Sequence, residues 1–456
     1  MVKEQLAFYN ALGISEINHP IESLRMTKES LTNSSRLKRY DPSWNYAEDN
    51  EKPYTHSIHP YPAMMIPQIA GRLITQYARP HAIILDPFCG SGSVLLEAFI
   101  RSYYSYGIDI NPLSHLISKV KTTPINPLVL HEELEKILKR IRAIKRVEIP
   151  HFPNIDYWFK SNVIEKLARL KKAIEDIKNK DCKDFFNVVF SVTVRTCSNT
   201  RNDEFKLYRL EEKKLKDFNP NVFEIFKERA LHNINCMAEL WNKFGESKTT
   251  VTSPPEVKIL NEDTRYKTSI PDKTIDLVVT SPPYGDSKTT VAYGQFSRLS
   301  LQWLGFNGNA INIDNRSLGG RLDIYNLHLG YSSSYLRNAL KLIAEIDQKR
   351  ARDVMAFYID LHKCFQELGR VTKRGGFLCM VVGNRTVKGV QLPTDEIVAD
   401  FGELVGFKHI ETIIRKIPNK RMPLKNSPTN QAGIVGSTMT EEYIVIMEKT
   451  KGWDRS

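Results

Sequence analysis

Cysteine is scarce in this chain of 456 residues: the 6 present are Cys89, Cys182, Cys197, Cys236, Cys364 and Cys379, and no two form a C-x-x-C pair. Such spacing argues against a disulfide framework or a zinc ribbon and fits a reducing compartment, so no metal is expected. Long apolar runs are missing too. No N-terminal stretch reads as a signal h-region, and none approaches the ~18 residues of a membrane span, so a soluble, cytoplasmic protein without a membrane partner is expected. Negative charge is in deficit, with 65 Lys and Arg against 52 Asp and Glu, a net charge of +13. That surplus suits a polyanionic partner, because cations facing phosphates gain affinity through counterion release. No internal repeat or low-complexity tract stands out, and 41% hydrophobic residues can supply a large core in one domain with an insertion or in two domains.

What the chain does have is a series of apolar runs that end in reactive or polar groups. Ile275-Asp-Leu-Val-Val-Thr-Ser-Pro-Pro-Tyr-Gly285 stops at two prolines, an aromatic and a glycine. Proline cannot extend a central strand, so this reads as a buried strand ending in a rigid, exposed turn. The carbonyls of Ser281 and Pro282 then lack ladder partners and stand beside a small hydroxyl and the Tyr284 ring. Together they can hold a planar base whose exocyclic amine donates two hydrogens. Upstream, Ile83-Ile-Leu-Asp-Pro-Phe-Cys-Gly-Ser-Gly-Ser93 reads as a strand, a glycine turn and a helix N-terminus, without the G-x-G-x-x-G spacing of a dinucleotide site. Residues 106–111 read as the next strand, ending in Asp109 about 20 residues on, where an acid can accept both hydroxyls of a ribose. Residues 258–264 make a short strand ending in Glu262 and Asp263, residues 377–384 another buried strand, and residues 409–415 and 442–448 an antiparallel pair.

Thr280-Ser-Pro-Pro-Tyr284 resembles the catalytic motif of amino-group DNA methyltransferases, in the serine form of the cytosine-N4 branch. Asp86-Pro-Phe-Cys-Gly-Ser-Gly92 resembles, nearly residue for residue, the S-adenosylmethionine motif of the same enzymes. The resemblance covers about residues 54–115 and 257–449 and implies an α/β fold: a seven-stranded Rossmann-like methyltransferase sheet with a helical insertion. The implied division is an arm at 1–53, a catalytic domain at 54–112 and 257–449, and an insertion at 113–256. S-adenosylmethionine is the implied cofactor. Asp86, Pro87, Phe88, Gly90 and Gly92 would hold it at the turn, Asp109 at the ribose, Asp263 or Glu262 at the adenine, and His59 and Tyr61 from the Pro-rich segment 55–67. Ser281, Pro282, Pro283 and Tyr284 are the implied catalytic residues. Ring-carbon methylation would need a cysteine nucleophile, usually in a Pro-Cys dipeptide, and the chain has none. Adenine enzymes usually carry Asp or Asn where Ser281 stands. The implied activity is therefore site-specific methylation of the N4 amine of a flipped cytosine in double-stranded DNA, with a cognate restriction endonuclease encoded nearby as a partner. Adenine-N6 methylation and RNA amine methylation are the alternatives.

Between these blocks, residues 130–145, 163–177 and 223–244 carry apolar residues at helical spacing. The insertion holds 27 Lys and Arg against 19 Asp and Glu from residue 113 to 255, an excess of 8 that suits a phosphate backbone. Its stretch from Val192 to Arg209 clusters groups that bond phosphates and base edges, which makes Arg195, Asn199, Arg201, Lys206 and Arg209 DNA-contact candidates, with Lys420 and Arg421 from the loop after Arg415. Thr252-Ser-Pro-Pro-Glu256 repeats the Ser-Pro-Pro spelling, but it follows a polar run and has Glu256 in place of the aromatic. The arm at 1–53 is polar without a clear period, and one long helix is expected around 334–366.

Overall fold

The computed structural model describes residues 35–47, 52–202, 205–245, 254–286, 289–306, 310, 312–323, 332–418, 425–426, 436–437 and 439–451. Among these, the apolar runs become strands β2 (Ile83–Asp86), β3 (Tyr104–Ile108), β4 (Val257–Leu260), β5 (Ile275–Thr280), β6 (Thr372–Val382), β7 (Phe407–Lys416) and β8 (Glu441–Lys449), preceded by a short polar strand, β1 (Lys38–Tyr40). They pair into one sheet in the order β1-β7-β8-β6-β5-β2-β3-β4. β8 is antiparallel to both neighbours and every other pairing is parallel. The longer helices are α1 (Pro67–Tyr77), α2 (Ser93–Ile100), α3 (Pro112–Lys121), α4 (Pro127–Ala143), α5 (Ser161–Glu175), α6 (Lys180–Cys197), α7 (Val222–Phe244), α8 (Tyr293–Trp303), α9 (Ser334–Ile346), α10 (Gln348–Val371) and α11 (Thr394–Leu404).

Strands buried on both faces read as unbroken apolar runs, because alternate side chains go to opposite sides of the sheet. In β5, Leu277 and Val279 join Ile84, Val381 and Ile446 against Leu73 of α1 and Val94 of α2. Val278, between them, joins Leu85, Met380 and Val445 against Leu340 of α9, Phe357 of α10 and Val398 of α11. A third cluster binds the helices α3 to α8 to one another and to Tyr61 and Phe99, so the inserted helices share a core with the elements beside the sheet.

The sheet has eight strands, not the expected seven. The extra one is β1, from the polar arm, which lies parallel to β7 at the edge. Its three residues carry no apolar signal because charge fixes them. Arg36 bonds Glu396 at 2.7 Å, Asp400 at 2.6 Å and Glu403 at 2.8 Å, while Lys38 reaches Asp395 and lies 2.6 Å from Glu396. Asp395 and Glu396 are both buried on α11, and buried carboxylates need such partners. The helix expected around 334–366 is likewise two, α9 and α10, divided at Asp347, whose carboxylate accepts from the Arg350 N–H at 2.9 Å and starts the second helix.

Topology places the ligand crevice. The chain runs from the central β2 outward to β3 and β4, then crosses to β5 on the other side of β2. The carboxyl ends of β2 and β5 therefore lie side by side where the strand order reverses, the position at which open α/β sheets hold ligands. Removing the cation that ties β1 to α11, by Arg36→Ala, is expected to lower stability by about 1–3 kcal/mol, since it leaves Glu396 and Asp400 short of a partner. The denaturant midpoint measured beside wild type checks this.

Candidate active site

The turn after β2 is shaped by two carboxylates. Asp86 Oδ1 accepts from Thr280 Oγ1 at 2.7 Å and from the Phe88 N–H at 3.1 Å. Asp109, just past β3, accepts from the Gly90 N–H at 3.0 Å and the Asn111 N–H at 2.8 Å. Burial pushes the Asp86 carboxyl up to about 7 and that of Asp109 up to about 6. Gly90 and Gly92 have φ of 48° and 77°. A Cβ on Gly92 would also come within 3.0 Å of the Ser118 Cα, so this bend needs glycine for both conformation and space.

These groups face an open pocket with about 920 Å³ of empty space, the solvent at its mouth included. Of the residues expected at the cofactor, Tyr61, Asp86, Pro87, Phe88, Gly90, Asp109 and Asp263 line it, as does Glu262. Two do not. Gly92 sits behind the wall as the N-cap of α2. His59 is buried, with Nδ1 2.5 Å from the Pro60 carbonyl and Nε2 3.0 Å from Ser191 Oγ, so it ties the Pro-rich segment to α6. Burial brings its imidazole down to about 3, which keeps it neutral. Tyr61 stacks on Tyr293 with ring centroids 5.9 Å apart and bonds Ser114 Oγ at 2.6 Å. Asp263 is not a free acid, because Arg265 bonds it at 2.7 Å and Asp360 at 2.9 Å.

The turn after β5 opens into the same space, through Ser281 and Pro283. Pro282 is buried beneath them. Ser281 Oγ donates to the Tyr284 hydroxyl at 3.2 Å, and that hydroxyl donates to Glu442 Oε1 at 3.0 Å. The edge of the Tyr284 ring lies over Gly383, where an added Cβ would come within 3.0 Å of Cδ2. The pocket and the Ser-Pro-Pro-Tyr turn thus meet at the carboxyl ends of β2 and β5.

The family profile described as DNA methylase matches residues 6–119 and 275–455, the two blocks that carry these strand ends. The chain belongs to the N6/N4 DNA methylase family. It is 44% identical over 428 residues to the Type II methyltransferase M.MvaI of Kocuria varians, covering 88% of this chain and 93% of that one. The Type II methyltransferase M.BsoBI of Geobacillus stearothermophilus is 22% identical over 480 residues, covering 94% and 92%. Among solved structures, an S-adenosylmethionine-dependent methyltransferase of Methanosarcina mazei is 10% identical with a TM-score of 0.30, covering 83% of this chain and 97% of that one. This chain is accordingly an S-adenosylmethionine-dependent DNA methyltransferase of the restriction–modification type. Among the described residues of the methylase no helix is long and apolar enough to cross a membrane.

The DNA-contact candidates of the methylase divide. Arg195 and Asn199 are buried, which corrects their reading as contacts. The Arg195 guanidinium lies 4.4 Å from the centre of the Phe296 ring and bonds the Phe296 carbonyl at 3.3 Å, while Asn199 bonds the carbonyls of Trp158 and Tyr157. They hold a loop in place. On that loop Arg201 is exposed and Lys206 half-buried, Arg209 stacks on Tyr157 at 4.3 Å, and Phe205 and Tyr208 are exposed beside them. Lys420 and Arg421 lie outside the described residues. Sequence reasoning missed Glu442, Arg415 and Arg265, whose only signal was a charge within or beside a strand.

Asp109 generates a pH prediction. Ribose hydroxyls donate, so a cofactor whose ribose met Asp109 would favour the carboxylate. With that carboxyl near 6 in the ligand-free protein, cofactor binding must release a proton at lower pH, and affinity falls as pH drops through about 6. Calorimetric dissociation constants across this range should show the weakening in wild type and a shallower one in Asp109→Asn, which binds more weakly throughout.

Proposed function

We propose that this methyltransferase acts site-specifically on double-stranded DNA and moves the methyl group to the exocyclic N4 amine of a cytosine. The observation that carries the reading is Ser281, a neutral hydroxyl at the mouth of the cofactor pocket where adenine enzymes usually present Asp or Asn. An exocyclic amine is a poor nucleophile because its lone pair is delocalised into the ring. If Ser281 and the Pro282 carbonyl accept its two hydrogens, the nitrogen is drawn toward tetrahedral geometry and its lone pair is presented to the pocket. Bound S-adenosylmethionine supplies an electrophilic methyl on a sulfonium. The rest of the acceleration is positioning, which can supply up to ~7–11 kcal/mol. A base inside a duplex cannot reach this turn, so it must be flipped out, and Tyr284 would stack on it.

The proposed residue roles follow the pocket. Asp109 accepts the ribose hydroxyls, Asp86 and Gly90 shape the turn that carries the methionine end, and the Glu262–Asp263 segment meets the adenine. For DNA, the face formed by Arg201, Lys206 and Arg209 with exposed Phe205 and Tyr208 combines cations with rings, the chemistry that takes phosphates and stacked bases. The insertion at 113–256 and the loop bearing Lys420 and Arg421 would deliver the duplex, in a prokaryotic cytoplasm beside a cognate endonuclease.

Incubation with unmethylated genomic DNA and S-adenosylmethionine, followed by nucleoside mass spectrometry, should give N4-methylcytosine. N6-methyladenine would reverse the base assignment. Ser281→Ala should lose turnover by about a hundredfold or more while keeping the cofactor affinity of wild type. Separately, Arg201→Ala combined with Lys206→Ala should weaken binding to all duplexes alike and reduce the dependence of log K on log salt by about two. An unchanged slope would place the phosphates elsewhere.

A further inference from the structure

Ser281 does not end the hydrogen-bond chain at the catalytic turn, and the direction of the whole chain can be read from its far end. Glu442 of β8 faces Arg415, its cross-strand partner on β7, and Oε2 pairs with the Arg415 guanidinium. Arg415 is buried, and two more of its donors are fixed on the arm: Nε on the Trp44 carbonyl at 2.8 Å and a terminal nitrogen on the Asn45 carbonyl at 3.0 Å. Guanidinium only donates and a carboxylate only accepts. The Tyr284 hydroxyl, 3.0 Å from Glu442 Oε1, must therefore spend its one proton on Glu442. Its oxygen is left to accept, and what it accepts is the Ser281 proton at 3.2 Å.

We propose that Arg415, Glu442 and Tyr284 form a directional relay that turns the Ser281 proton away from the pocket, so that Ser281 meets the target base as an acceptor only. A free serine hydroxyl has one donor and two acceptor sites and can rotate to suit either partner. With its proton committed to Tyr284, Oγ offers lone pairs alone. An amine, which brings hydrogens, fits that site. A carbonyl at the same place on a pyrimidine ring meets two sets of lone pairs with no proton between them, an arrangement that costs both groups their solvation. Glu442 and Arg415 touch neither base nor cofactor and act as positioning residues. The relay also gives the arm a part in catalysis, since the Trp44 and Asn45 carbonyls hold the cation at its origin.

This inference rests on Ser281 accepting an amine hydrogen, and the test separates the two. Glu442→Gln keeps the shape but supplies an amide that can donate to Tyr284, which frees the phenol to donate toward Ser281 and reverses the chain. Tyr284→Phe keeps the ring and removes the central oxygen. Single-turnover methyl incorporation into genomic DNA is measured for each variant, for the double variant and for Ser281→Ala, together with the cofactor dissociation constant and Tm. Each single variant is expected to lose about tenfold or more in rate at unchanged cofactor affinity, and the double variant to be no slower than the worse single one. Wild-type rate in Tyr284→Phe or in Glu442→Gln overturns the relay, as does a double variant whose loss is the product of the two. Should Glu442→Gln fail to fold, wild-type rate in Tyr284→Phe still overturns it. Wild-type rate in Ser281→Ala sinks the amine-acceptor reading itself, whereas an inactive Ser281→Ala beside fully active relay variants refutes only the relay.

Discussion

The hydrogen bond from Thr280 to Asp86 is the constraint on which the site depends. It joins the last residues of β5 and β2, parallel neighbours in register through Ile84 with Leu277 and Leu85 with Val278. Past those residues the two strands lead into the turn of Asp86 to Gly92 and the turn of Ser281 to Tyr284. Without a link at that point, each turn would be placed only by its own strand. Thr280 is wholly buried and Asp86 nearly so, in surroundings apolar enough to push the carboxyl up to about 7. A hydroxyl and the Phe88 N–H both aimed at one buried oxygen make that acid tolerable there and fix where the turn begins. Reaction geometry sensitive to about 1 Å needs such a link more than it needs any one contact to the substrate.

Charge is partitioned in a way the net value of +13 conceals. The pocket is lined by the acids Asp86, Asp109, Glu262 and Asp263, with Arg265 and Arg316 also in its wall. Its carboxylates suit a ligand that brings hydroxyls and a sulfonium. The cations of the loop at 201–209 lie outside, among exposed rings, where a polyanion can meet them. Composition therefore spoke of the outer partner and said nothing of the pocket, whose chemistry is set by four acids at the ends of strands.

How much was legible follows from how local each signal is. Asp86 to Gly92, Asp109 and Ser281 to Tyr284 are strand-end turns, where glycine, proline and a lone acid announce themselves within a few residues, and the structure gathers most of them in one pocket. The rest depends on distant pairing. Glu442 and Arg415 look like ordinary edge charges until β7 and β8 pair and bring them together behind Tyr284. β1 is three residues of polar chain, and only the acids of α11, more than 350 positions away, make it a strand. Arg195 and Asn199 were misread for the converse reason: polar residues in a basic stretch suggest a surface, but α6 is enclosed on nearly every side.

That enclosure also explains what α8 does. Phe296 takes the Arg195 guanidinium on its face, Tyr61 and His59 at its edges, and Phe205 from the exposed loop. One turn earlier, Tyr293 stacks on Tyr61 and lines the cofactor pocket. A cation taken out of water needs compensation, and the Phe296 ring and carbonyl supply part of it. Arg195 thus serves the interior: it locks the C-terminal end of α6, and the loop that follows it, onto the helix that walls the pocket. The basic loop and the pocket are in this way two ends of one packed set of rings, so Phe205 and its neighbours are held in a fixed relation to Tyr293 in the pocket wall.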